Sequence, residues 1–166
     1  GRIARCVAQI CGAGFGCEVA AYDPFLTPDQ IREAGAEPLD LLDLMGCDVV
    51  SIHVPLSDGA RNLIGATELA AMKPTALLVN TARGAIIDNV ALARALRNGE
   101  IGGAALDVLD VEPPPLDHPL LAGDIPNLIV TPHTAWAGRQ ARQNAVDQTV
   151  ANIRAFLDGS PRNLVT

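Results

Sequence analysis

Short apolar runs alternate with helix-sized stretches along the whole sequence, and this alternation decides what the chain can fold into. The runs are Cys17–Asp23, Asp48–Val54, Ala76–Thr81, Gly103–Val108 and Asn127–Thr131. Helical patterns lie at Ile3–Ala13, Pro28–Ala34, Leu39–Met45, Ala66–Met72 and Asn89–Asn98, and a long one from about Ala137 to Leu157 closes the chain. Strands joined by crossovers of that length pair in parallel, with helices packed on the sheet. The runs are apolar almost throughout, as strands covered on both faces are. The sequence therefore predicts an α/β fold, a doubly wound parallel sheet. Punctuation agrees. Asp88 is suited to cap the helix that begins near Asn89, Asn98-Gly99 to end it, and Pro113-Pro114-Pro115 to stiffen the loop after Glu112.

The 166 residues suit about one domain. Hydrophobic residues make up 49% and charged ones 19%, enough apolar surface for a sizeable core. Aromatics are only 3%, so that core is aliphatic and rich in alanine. The formal net charge of −7 argues against nonspecific binding to nucleic acid or an anionic membrane. An anionic ligand would need local positive features, such as an arginine or a helix N-terminus. Cys6, Cys11, Cys17 and Cys47 form neither a C-x-x-C pair nor a cluster with zinc spacing, so no metal site is expected. They read as small buried residues in a reducing compartment. No run approaches the ~18 apolar residues of a membrane span, and there is no signal-peptide pattern. The cytoplasm is the expected location.

Three segments carry the chemistry. Asn80-Thr81-Ala82-Arg83-Gly84, Leu106-Asp107-Val108-Leu109-Asp110-Val111-Glu112-Pro113 and Thr131-Pro132-His133-Thr134-Ala135-Trp136 each follow a strand-like run. If those strands are neighbours, Arg83, Glu112 and His133 converge at the carboxyl edge of the sheet, where open α/β sheets bind ligands. An arginine grips a carboxylate bidentately. A histidine supported by a carboxylate moves a proton near neutral pH. The trio describes a site for a small 2-keto or 2-hydroxy acid. The plainer alternatives are a capping or ion-pairing arginine, a solvated loop glutamate and a satisfied core histidine. His53, inside an apolar run, reads as structural or as a neighbour of an adenine pocket. His118, in Asp117-His118-Pro119, is expected to be an exposed loop residue.

The chain opens on Gly1-Arg2-Ile3-Ala4 and runs directly into an amphipathic helix. Gly1 and Ala4 fit the second and third positions of the dinucleotide pattern G-x-G-x-x-G/A, with Asp23 closing the next strand. A helix N-terminus offers N–H groups and a positive dipole end to a pyrophosphate. Asp23 would accept hydrogen bonds from both adenosine ribose hydroxyls and repel a 2′-phosphate, which favours NAD over NADP. The plain alternative for Asp23 is a turn residue before Pro24. Gly12-Ala13-Gly14-Phe15-Gly16 resembles a glycine loop at first sight, but it follows a helix and precedes a strand, the reverse of the required order. It is expected to be a helix end and turn. No strand precedes Gly1, so the motif reads as lacking its first strand.

With these segments in place, the chain resembles the D-isomer-specific 2-hydroxyacid dehydrogenases. The matches are G-R-I-A, the Tyr22-Asp23-Pro24 strand end, the Asp48–Leu56 segment, N-T-A-R-G, L-D-V-x-x-x-E-P-P and T-P-H, in family order over nearly all of the chain. The resemblance implies a Rossmann-type coenzyme domain across residues 1–166. Its C-terminal helix, from about Ala137, would lead back toward a separate substrate domain, and coenzyme domains would pair into a homodimer. Catalytic roles carry over onto Arg83, Glu112 and His133. Coenzyme contacts carry over onto Gly1, Arg2, Ile3, Asp23, Val54, Pro55, Thr81, Ala82 and Asp107, the last at the nicotinamide carboxamide. Trp136 would lie beside the substrate together with Arg83 and His133.

The resemblance implies a division of labour. Arg83 binds the substrate carboxylate and Glu112 orients His133 and favours its imidazolium form. His133 gives a proton to the C2 oxygen while the coenzyme supplies hydride. Thr134 and Trp136 in T-P-H-T-A-W-A-G look most like glycerate dehydrogenases and hydroxypyruvate reductases. D-3-phosphoglycerate and other 2-hydroxy acids are the alternatives within the class. Outside it stands an NAD-binding, corepressor-like interaction module, which retains the same trio. In the strand order 3-2-1-4-5-6, the absent strand falls between Cys17–Asp23 and Ala76–Thr81. The isolated chain is therefore expected to be poorly stable and inactive.

Overall fold

The computed structural model describes residues 1–164. It divides into two compact units, Gly1–Thr131 and the residues from Pro132 onward.

The first unit begins with helix α1 (Arg2–Gln9), continued by a π-helical turn over Ile10–Gly14. Gly16, at φ +69°, ends the turn, so the Gly12–Gly16 segment is the helix end that its place in the sequence predicts. Strand β1 (Ala20–Ala21), helix α2 (Pro28–Glu33) and strand β2 (Glu37–Pro38) follow. Thr27 opens α2 with a reciprocal cap: its hydroxyl accepts from the Gln30 N–H at 3.3 Å, and the Gln30 amide accepts from the Thr27 N–H at 2.9 Å. Then come α3 (Leu41–Met45), β3 (Val49–Ile52), α4 (Ala66–Ala70), β4 (Leu77–Asn80), α5 (Asn89–Arg97), β5 (Gly103–Leu106) and β6 (Leu128–Val130).

All strand pairs are parallel, as crossovers of this length require. Among the described residues β1 pairs with β2 alone, and a four-stranded sheet runs β3-β4-β5-β6. This is the Rossmann-like α/β architecture expected. Two details differ from the sequence reading. β2 was not foreseen, and Asp48–Val54 pairs with Ala76–Thr81 rather than lying beyond Cys17–Asp23. The edge of the larger sheet on that side is therefore β3, and Ala76–Thr81 is interior.

Alternation along the strands builds the core. Val50, Ile52, Leu78 and Leu106 are buried with Met45, Leu69, Met72, Leu92 and Leu96 in one aliphatic cluster. Each such side chain contributes about 1.5–3 kcal/mol of burial free energy. The intervening positions behave differently. Val49, Leu77 and Ile129, on the other face, stay exposed, so these strands are not covered on both faces as their apolar runs suggest. Closeness of backbones explains two glycines: a Cβ at Gly102 would lie 2.6 Å from the Thr75 carbonyl oxygen, and one at Gly103 2.9 Å from that of Asn127.

The second unit contains a tight turn at Thr134–Ala137 and helix α6 (Arg139–Leu157). Gly159, at φ +71°, ends α6, with its N–H on the Phe156 carbonyl and that of Ser160 on the Ala155 carbonyl. Among the described residues no helix is long and apolar enough to cross a membrane.

Candidate active site

Ile52, Asn80, Leu106 and Val130 occupy one row across the sheet. Because every strand is parallel, the residues after that row leave the sheet at one edge. They are His53-Val54-Pro55, Thr81-Ala82-Arg83, Asp107 with the loop to Glu112, and Thr131. Val54 and Ala82 are half-buried, whereas Pro55, Thr81 and Arg83 are exposed.

Asn80 shapes the Arg83 loop. Its side chain is fully buried at the end of β4. Its carbonyl accepts from the Ala82 N–H and its amide donates to the Arg83 carbonyl, each at 2.9 Å. One guanidinium nitrogen of Arg83 donates to the Ala82 carbonyl at 2.7 Å. The chain then enters a 3₁₀ turn over Gly84–Ile86. A Cβ at Gly84 would lie 1.9 Å from the Leu109 carbonyl carbon and 2.4 Å from the Asp110 nitrogen. The Arg83 loop therefore rests directly on the backbone of the loop that carries Glu112. In that second loop the Glu112 carboxylate accepts from the Leu109 N–H at 2.9 Å. The structure thus brings the Arg83 and Glu112 segments together.

Asp107 is buried after β5. Its N–H donates to the Asn80 carbonyl at 2.9 Å, and its carboxylate accepts from the Thr131 hydroxyl. His133 belongs to the second unit and stands at φ +53°, in the left-handed region that few non-glycine residues adopt, histidine more readily than most. The Trp136 indole N–H donates to the His133 carbonyl at 2.8 Å, closing the turn that presents His133. Both side chains are exposed.

The positions that the sequence reading assigns to a coenzyme start at the first helix. Gly1 begins α1 with no side-chain cap on the helix, and nothing lies within 4 Å of where its Cβ would be. Arg2 and Ile3 form the first exposed turn. Uncapped N–H groups at an open helix start are what a pyrophosphate requires. Asp23 follows β1, half-buried, and one of its oxygens accepts from the Phe25 N–H at 3.0 Å, so it also serves the turn. His53 faces Ser51 at 3.0 Å, and partial burial lowers its pKa from the usual imidazole range.

His118 corrects the sequence reading. It is buried, at 3% exposure, because both ring nitrogens have partners: Nδ1 accepts from the Leu120 N–H and Nε2 meets Asp110 at 2.8 Å. Asn80, Gly84 and the Asp110–His118 pair are the structural residues of the site that the sequence did not single out for a role. An amide ending an apolar run was the available signal for Asn80. Nothing marked the other contacts, since they join distant positions.

A parallel α/β sheet with an open helix start and acidic residues beyond its carboxyl edge defines a dinucleotide-binding domain. A family model for the D-isomer specific 2-hydroxyacid dehydrogenase NAD binding domain matches residues 1–135. The chain belongs to this family, as its NAD-binding domain. It is 43% identical over 165 residues to a glycerate dehydrogenase of Methylorubrum extorquens, covering 99% of this chain and 50% of the relative. It is 45% identical over 167 residues to a glyoxylate reductase of Aeropyrum pernix, covering 99% and 49%. A D-lactate dehydrogenase from Sporolactobacillus superposes with a TM-score of 0.89 at 32% identity, covering 98% of this chain and 52% of that one. The chain spans about half the length of the curated relatives it matches.

Proposed function

We propose that the protein is an NAD-dependent oxidoreductase acting on a small D-2-hydroxy acid and its 2-keto acid, with D-glycerate and hydroxypyruvate, or glyoxylate, as the preferred pair. The observation that carries this reading is the packing of the Arg83 loop, through Gly84, onto the loop bearing Glu112 at the carboxyl edge of the sheet. Arg83 binds the substrate carboxylate and polarises the adjacent carbonyl. Glu112 accepts a hydrogen bond from His133 and fixes the ring's orientation. His133 donates a proton to the C2 oxygen in reduction and accepts it in oxidation, a contribution of roughly 10²–10⁴-fold. Its left-handed backbone holds about 1–3 kcal/mol of strain, of a kind that clusters at active sites. NAD(H), when bound, supplies or accepts the hydride. Gly1, Arg2 and Ile3 hold its pyrophosphate, Asp23 its ribose, Val54, Pro55, Thr81 and Ala82 line its course, and Asp107 meets the carboxamide.

The names of the glycerate and glyoxylate relatives and the segment through Trp136 support the substrate assignment. Residues 1–166 form the coenzyme domain, α6 leads toward a substrate domain, and coenzyme domains pair as a homodimer. The cytoplasm is the proposed location: all four cysteines are free, but Cys6 and Cys17 are exposed and Cys11 and Cys47 half-buried, not buried as the sequence suggests.

The test is turnover by the complete gene product. Hydroxypyruvate or glyoxylate should be reduced with NADH, and His133→Ala should abolish turnover while NADH still binds. No turnover across a panel of 2-keto acids would overturn the enzymatic reading in favour of an NAD-binding interaction module.

A further inference from the structure

Glu112 is exposed and precedes three prolines, so burial does not fix its place. The Leu109–Glu112 turn is held by specific bonds instead. Its start is pressed against Gly84. Its end closes through the Leu109 N–H on the Glu112 carboxylate. Its middle is held by Asp110, one oxygen of which accepts from the Val111 N–H at 3.1 Å and meets His118 Nε2 at 2.8 Å.

The hydrogen bonds of His118 fix its tautomer. Leu120 N–H donates to Nδ1, so the ring proton sits on Nε2 and points at Asp110. His118 is itself anchored. Leu120, two residues on, is buried in the core. Arg97 of α5 donates to the Pro119 carbonyl at 2.9 Å and pairs bidentately with Asp124 at 2.7 and 2.9 Å. A rigid strap thus reaches from α5 to the turn that presents Glu112. Capping the 3₁₀ turn Pro119–Leu121 accounts for Nδ1 alone. The Nε2 contact serves Asp110.

We infer that His118 is a positioning residue for Glu112, acting through Asp110 to hold the Leu109–Glu112 turn in the shape the acid–base pair needs. The catalytic arm of this inference rests on the role proposed above for Glu112; the conformational arm does not.

Two substitutions separate the two nitrogens of His118. His118→Asn keeps an acceptor near Nδ1 for the cap and loses the reach to Asp110. His118→Gln keeps a donor near Nε2 and gives up the cap. In the complete gene product, His118→Asn should lower kcat roughly ten- to hundredfold through misplacement of Glu112, with NADH affinity unchanged. His118→Gln should stay close to wild type. Asp110→Ala, at an exposed position, also removes the bond from the Val111 N–H, so it should lower kcat at least as far as His118→Asn, and the double variant should lose no more than Asp110→Ala alone. Amide hydrogen exchange at Leu109 should quicken about tenfold in His118→Asn and Asp110→Ala, the loss expected for one hydrogen bond, while the amides of β4 and β5 keep their rates. The exchange arm decides the inference even if the wild-type protein turns over no keto acid, an outcome that would sink only the enzymatic reading. Wild-type exchange at Leu109 in both variants would overturn it, as would a Gln variant as impaired as the Asn variant.

Discussion

At Gly84 the two loops of the site meet with no space for a methyl group. An alanine there would place Cβ 1.9 Å from the Leu109 carbonyl carbon, against backbone that no rotamer change can move aside. Gly84→Ala should therefore push apart the segments carrying Arg83 and Glu112. Overpacking of this kind costs about 1–3 kcal/mol, and an ångström of misplacement can cost about a hundredfold in rate. The expected result is a modest fall in Tm with a much larger fall in kcat/KM. Turnover within a few-fold of wild type would show that the loops need not touch. Asp23 is tested by selectivity. A carboxylate at the ribose site attracts hydroxyls and repels a phosphate, so kcat/KM should favour NADH over NADPH, and Asp23→Ala should narrow the ratio. Equal use of both coenzymes by the wild type would leave Asp23 only its turn bond to Phe25.

The elements show why some of this was legible in the sequence. Helix α5 is the clearest case. The Asp88 carboxylate accepts from the Val90 and Ala91 N–H groups, each at 3.0 Å, as a polar residue before an apolar-periodic segment suggests. Asp88→Ala should cost about 1 kcal/mol, visible as a lower Tm with NADH affinity unchanged; an unaltered Tm would mean that packing of the buried face sets the start of α5 without the cap. The long strands β3 to β6 were readable for a similar reason, each being a run of apolar residues bounded by polar ones. β2 was not. Two residues, Glu37 and Pro38, carry no periodicity, and they pair with β1 only because α2 returns the chain beside it. Missing that strand shifted the expected neighbour of the sheet's edge from β3 to β4. His118 differs for a related reason: a histidine between Asp117 and Pro119 after a proline run suggests a solvated loop, whereas its burial goes with Asp110, eight residues away. Contacts local in sequence leave local signals, while those made by loop packing, such as Gly84 on Leu109, leave none.

For the molecule as a whole, the exposed apolar surface sets the terms. Val49, Leu77 and Ile129 lie on one open face of the sheet, and Ile3, Ile10 and Phe15 stand exposed on the first helical segment. β3 is an edge strand of the larger sheet, and β1-β2 forms a separate pair. An edge of this kind leaves N–H and C=O groups seeking partners. Apolar groups left in water forgo about 25 cal/mol for each square ångström that burial would remove. Residues 1–166 produced as an isolated polypeptide should therefore unfold at low temperature with poor cooperativity, bind an apolar dye in buffer and associate as concentration rises. They should also fail to reduce hydroxypyruvate, because the proposed function assigns part of the substrate site to a separate domain. Thermal scans, dye fluorescence and sedimentation across a concentration series would measure this directly. A monomer that melts in one sharp transition near mesophilic values, binds no dye and turns over hydroxypyruvate would show that the open sheet face and the β3 edge need no partner.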